Sequence, residues 1–196
     1  MSDHGDDAPG WVLLLAQLPA SPSSPRVTLW RRAKAVGAVG LQNGAWVLPG
    51  SDDNVEFFRT LAAFVRDHNG AAHALSVRTV EDTGDDEIVA RFRSERSKEF
   101  AELNERGVAL LSELDREASK GNFSFAELEE NEQVLERLAG WLDKIVARDF
   151  FPDERTKDAA ELLDRCRRAV EGFTASVYRA EGVAPELPPT TETGER

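Results

Sequence analysis

Apolar and polar positions follow two different periods along this chain, and the period changes near residue 83. Trp11 to Leu18 is an unbroken apolar run of strand length, ended by Leu18-Pro19 and a Ser/Pro-rich turn. Ser24 suits an N-cap and Pro25 the first helical position, where a missing N–H costs nothing, so a helix is predicted from there to about Gly37. Val39 to Gln42 and Ala45 to Leu48 flank Asn43-Gly44, the strongest short hairpin signal, which predicts a type I′ turn with positive φ at both central residues. Asp52 or Asp53 opens a second helix with a stripe of Phe57, Leu61, Ala62, Phe64 and Val65, closed by Asn69-Gly70. Ala74 to Val80 alternates as a last strand.

The order βαββαβ is that of a ferredoxin-like domain, expected over residues 11–82, and the fold class is α+β. Beyond Asp82-Thr83-Gly84-Asp85 the spacing becomes helical. Ile88, Phe92, Phe100, Leu103, Leu110, Leu111 and Leu114 form the stripe of a first long helix, with Gly107 its one weak point. Lys120-Gly121-Asn122 breaks it. Ser124 and Glu127 form a capping box, and Phe123 with Leu128 a hydrophobic staple, at the start of a second helix that reaches Phe150-Phe151. Pro152-Asp153 restarts a third, with Leu162, Leu163, Cys166, Val170, Phe173 and Val177 as its stripe. Short connections make these an antiparallel three-helix arm over residues 83–181. A flexible leader is expected over 1–10, and a disordered Pro/Thr/Glu tail over 182–196.

Charge divides the chain differently. Acids outnumber bases 36 to 24, yet no acid stands between Asp7 and Asp52, a window that holds Arg26, Arg31, Arg32 and Lys34. The whole deficit of 12 lies after residue 80, so any nucleic-acid contact belongs to the first half and the acidic helices read as solvated faces. No apolar run approaches the roughly 20 residues that cross a bilayer, and the acidic leader has the wrong sign for a secretory signal. A cytoplasmic protein with no membrane role is expected. One cysteine, Cys166, allows no internal disulfide and reads as a small apolar residue on its helix.

The basic helix is the best candidate for chemistry. At about 100° per residue, Leu29, Ala33, Val36 and Trp30 share one arc, Arg31 and Arg32 point away from it, and Lys34 lies about 60° from Arg31. Three cations would then face outward with no nearby acid, able to engage a phosphate backbone or a small oxyanion; three exposed cations on one helix are also ordinary surface. Trp30 and Trp46 read as core or interface rather than as stacking platforms. His4, His68 and His73 are paired by spacing neither with Cys166 nor with a motif serine, so surface or cap roles are expected for them.

The stretches Trp11-Val-Leu-Leu-Leu-Ala-Gln-Leu-Pro19, Pro22-Ser-Ser-Pro-Arg-Val27, Trp30-Arg-Arg-Ala-Lys34 and Trp46-Val-Leu-Pro49 resemble the N-terminal domain of the ChrB family of chromate-resistance regulators. Phe123-Ser-Phe-Ala-Glu-Leu128, Trp141-Leu142 and Ala147-Arg-Asp-Phe-Phe151 resemble its helical part, so the likeness runs from about Trp11 to Tyr178. The family is similar to PaaX-type repressors in carrying a Cas2-like domain. The resemblance implies a non-enzymatic regulator acting on operator DNA, or beside a separate chromate-sensing protein like the family's C-terminal domain, for which no counterpart is expected in this sequence. Arg26, Arg31, Arg32 and Lys34 would contact DNA or another anion, with no cofactor and no metal. One exposed basic face predicts weak chromate binding by this chain alone.

Two other classes compete. An interaction module would use the acidic arm to hold a partner protein. A Cas2-like metal-dependent nuclease would need a carboxylate at the end of the first strand, where this chain has Gln17-Leu18-Pro19. Strand parity adds one more expectation. Val12, Leu14, Ala16 and Leu18 point to one face of the sheet and Trp11, Leu13 and Leu15 to the other, so the face without helices needs a cover, either the arm or a second copy in a homodimer.

Overall fold

The computed structural model describes residues 10–183. The leader and tail expected over 1–10 and 182–196 lie outside them, apart from Gly10, Gly182 and Val183. The elements follow as β1 (Trp11–Gln17), α1 (Ser24–Ala35), β2 (Val39–Gln42), β3 (Ala45–Pro49), α2 (Asp52–Asp67), β4 (Ala71–Val77), α3 (Gly84–Lys120), α4 (Phe125–Val146) and α5 (Glu154–Ala180). The chain divides into two compact units, Met1–Lys98 with Ile145–Pro152, and Glu99–Lys144 with Asp153–Arg196.

In the first unit the four strands stand in the order β2-β3-β1-β4, every neighbour antiparallel, which is the ferredoxin-like arrangement. The parity of β1 decides its two cores. Val12 and Leu14 face α1 and α2, where they pack with Leu29, Ala33, Phe58, Leu61, Ala62 and Val65. Trp11 faces the other way, into a cluster with Val39, Val47 and Phe92, against which Leu13, Ile88, Val89, Phe150 and Phe151 pack. The first turns of α3 and the Phe150-Phe151 corner thus cover much of the face that lacked helices. Leu15 and Leu75 on that face stay 37% and 42% exposed.

Helix α1 corrects its expected cap: Ser24 is its first residue, and Ser23, at the cap position with φ −78° and ψ −19°, makes no side-chain cap bond. The caps of α2 follow their chemistry. The Ser51 hydroxyl accepts from the Asn54 amide at 3.2 Å, one residue before the aspartates expected to open α2. At the other end, Asn69 takes φ 60° and a side chain on Gly70 would meet the Gln17 carbonyl and Val65. That tight exit starts β4 at Ala71, three residues earlier than the alternation over Ala74 to Val80 predicts, because seven backbone pairs with β1 outweigh the weak strand preference of Ala71 and Ala72. Val80 has left the sheet and is 96% exposed. The β2–β3 hairpin also corrects its expectation. Positive φ falls on Gly44 but not on Asn43, and the register shifts between Gly40 and Gln42, so the turn carries a bulge rather than type I′ geometry.

In the second unit, Glu99–Lys120 of α3, α4 and α5 bury Phe100, Leu103, Leu110, Leu114, Leu128, Leu138, Leu142, Leu163, Cys166, Val170 and Phe173. Phe125 meets Tyr178 and the Arg106 guanidinium lies over Trp141, as antiparallel neighbours require. Ser124 accepts from the Glu127 amide at 3.3 Å as the capping box predicts, and the Phe123 ring packs on Phe173. Gly107, the weak point by propensity, is where α3 and α5 approach: a Cβ there would stand 2.8 Å from Leu162, and the Cys166 thiol donates to the Gly107 carbonyl at 3.4 Å. Burial pushes that thiol's pKa up, so Cys166 is an inert core residue. Glu117 is buried at the α3–α4 turn and accepts from Asn122 at 2.6 Å and Lys120 at 2.9 Å; these bonds, Asn122 first, hold its carboxyl below the ordinary range.

Candidate nucleic-acid interface

Helix α1 presents the cations of the acid-free window. Leu29 and Ala33 are buried, and Pro25 closes the same stripe at the first turn. Arg26 and Arg31 are exposed, and neither has an acidic partner among the described residues. Arg32 is exposed as well, with its guanidinium 4.6 Å from the centre of the Phe64 ring on α2, a cation–π contact that orients the side chain without neutralising it. Arg32 and Lys34 stand in the last turn of α1, where the helix dipole favours positive charge.

Lys34 corrects the expectation of an unneutralised cation. Its Nζ donates at 2.7 Å to Glu95 Oε2 and lies 6.0 Å from the Trp46 ring centre. Glu95 comes from α3, far along the sequence, so the acid-free window could not reveal it. The ammonium holds the Glu95 carboxyl below its ordinary pKa, and the carboxylate stays ionised opposite it. Arg26, Arg31 and Arg32 are the cations of this helix left without a carboxylate partner among the described residues.

Trp30 is the second correction. The helical wheel placed it on one arc with Leu29, Ala33 and Val36, as a core or interface residue; the structure leaves it 54% exposed, which removes the core reading, one turn after Arg26 and beside Arg31. It overlooks a cleft of about 700 Å³ at the end of the sheet, where the last residues of β1, the β2–β3 turn and the first residues of β4 meet the first turns of α1. Leu15, Leu18 and Trp46 supply apolar wall; Arg26, Gln17, Gln42, Asn43 and His73 supply polar groups, and among the described residues no carboxylate lines it. Gly44 is needed at its floor, because a side chain there would strike the Ala16 carbonyl. Sequence periodicity could not find this cleft, since it is assembled from five separate elements, β1, α1, β2, β3 and β4.

The remaining candidates are placed simply. His68 is the C-cap of α2, its Nδ1 2.8 Å from the Phe64 carbonyl, and His73 is exposed at the rim of the cleft. β1 ends on Gln17, and among the described residues no group of three or more His, Cys, Asp or Glu side chains stands close enough to hold a metal ion. Among the same residues no helix is long and apolar enough to cross a membrane.

The profile described as "Protein ChrB, N-terminal" matches residues 26–184. This chain belongs to the ChrB family. A relative named Protein ChrB, from Cupriavidus metallidurans (strain CH34), is 33% identical over 178 residues, which cover 91% of this chain and 51% of the relative. The chain therefore spans about half the length of the curated relative it matches. No solved structure matches. Most of the basic helix and all of the helical arm fall inside the ChrB match, as do Arg26, Arg31, Arg32 and Lys34.

Proposed function

We propose that this ChrB-family chain is a non-enzymatic cytoplasmic regulator of chromate resistance that docks on operator DNA through the outer face of α1. The observation that carries the reading is the set of exposed cations without carboxylate partners among the described residues, Arg26, Arg31 and Arg32, on a sheet domain whose sequence is free of acid from residue 8 to 51. Phosphate contacts of this kind set register and affinity without reading sequence. The acidic second unit repels the same backbone, so the polyanion contact belongs to the first unit. Chromate sensing would come from a separate domain or protein. The competing reading, an interaction module without nucleic-acid contact, is separated by passing the chain over immobilised duplex DNA. Retention that is lost steeply between about 50 and 200 mM salt is expected, and passage without retention at low salt would contradict the proposal.

Self-association belongs to the same reading. Leu15 and Leu75 form the part of the second sheet face that the first unit leaves open, and a two-fold partner would cover it and pair two α1 helices for a two-half-site operator. Light scattering at tens of micromolar should give twice 21.6 kDa; a monomer mass would remove the dimer.

A further inference from the structure

We infer that the cleft beneath Trp30 holds an unpaired nucleobase, stacked on the indole and anchored at its phosphate by Arg26. This rests on the nucleic-acid reading above and goes further, because the phosphate contacts alone engage any duplex. Three observations combine. The first is an exposed tryptophan. An indole with more than half its surface in water presents a large apolar face that is uncovered in the first unit. The second is its setting between cations: Arg26 precedes it by one helical turn and Arg31 follows it, so a base on the indole has its own phosphate within reach of a guanidinium. The third is the cleft itself. Its volume of about 700 Å³ is that of a small-molecule site. Gln17, Gln42, Asn43 and His73 bring both donors and acceptors to its rim, the groups that read a base edge, while no carboxylate among the described lining residues repels the phosphate.

A base inside a duplex cannot take this position. Its faces are covered by neighbouring bases, so only a single-stranded, bulged or extruded base can reach the indole. The chain would then have two modes on one helix, a sequence-tolerant grip on the backbone through Arg31 and Arg32 and a stacking contact wherever a strand opens.

The test uses the full chain with two labelled probes, a single-stranded 12-mer of non-self-complementary sequence and the blunt duplex it forms with its complement. Trp30→Leu should weaken single-strand binding about 5- to 100-fold while leaving duplex binding within about twofold. Trp30→Phe, which keeps a stacking ring, should recover most of the loss. Retained duplex binding also reports that the variants are folded. Equal losses on both probes, or no loss on the single strand, would overturn the stacking site alone. Failure of the unsubstituted chain to bind either probe would overturn the nucleic-acid reading together with it.

Discussion

Gly37→Val is expected to cost about 3 kcal/mol or more, enough to unfold much of the population of a protein with ordinary marginal stability. Gly37 ends the turn after α1 with φ 86°, a conformation that L side chains rarely adopt. Space is closed as well: a Cβ would lie 2.7 Å from the Arg148 carbonyl and 2.8 Å from its Cβ, with the Phe150 ring at 3.2 Å. Backbone and side chain conflict at once, and Arg148 cannot retreat without moving the Phe150-Phe151 corner that covers Trp11. Gly172 in α5 is the matched control. Nothing stands within 4 Å of its position, so Gly172→Ala should stabilise the helix by about 0.5–1 kcal/mol. Urea midpoints check both; a Gly37→Val protein as stable as the parent would show that the α1–β2 turn does not pack on this corner.

Trp11→Ala should cost about 3–5 kcal/mol. The indole is 5% exposed, stacked at 5.9 Å on Phe92 and tilted against Phe151 at 6.1 Å, and it joins the sheet to the start of α3. Its Nε1 also donates at 2.6 Å to Asp85, which accepts from the Thr79 hydroxyl at 2.8 Å; these two bonds, that of Trp11 first, hold the Asp85 carboxyl below its ordinary value of 3.8. Trp11→Phe separates packing from that bond. A carboxyl with a lowered folded pKa stabilises the fold above its unfolded value and loses that contribution as pH falls through the folded one. The deficit of Trp11→Phe is therefore expected to be largest at neutral pH and to shrink below about pH 4. Chemical denaturation at pH 7 and pH 3 reads the difference, and a deficit that does not change between them would detach Asp85 from Trp11.

What the sequence disclosed follows from which forces are local. Helix punctuation at Asn69-Gly70, Gly121, Ser124 and Asp153 is chemistry within a few residues, so element order and most boundaries were legible. β4 slipped by three residues because its start is set by pairing with Trp11–Gln17, a contact across more than fifty positions. The Asn43-Gly44 turn lost its type I′ form to a bulge imposed by the same sheet. At the site, the acid-free window located the cations, but the Glu95 carboxylate that neutralises Lys34 arrives from another element. Trp30 shows the limit of a helical wheel most clearly. Position on the arc placed it near the core, whereas which neighbours reach that arc is decided by the sheet and α2, and they stop short of it.

The account stands most directly on the salt dependence of duplex binding. Log K against log salt should lose about 0.9 of slope for each phosphate contact removed. Arg31→Ala, Arg32→Ala and Lys34→Ala together are predicted to weaken binding and flatten the slope by about 2 to 3 units, with Lys34 contributing least because Glu95 already holds it. Glu95→Gln, which releases Lys34, should move affinity and slope the other way, by up to about 0.9 of slope. A triple variant with the parent's slope and affinity would take α1 out of the interface and contradict the central claim.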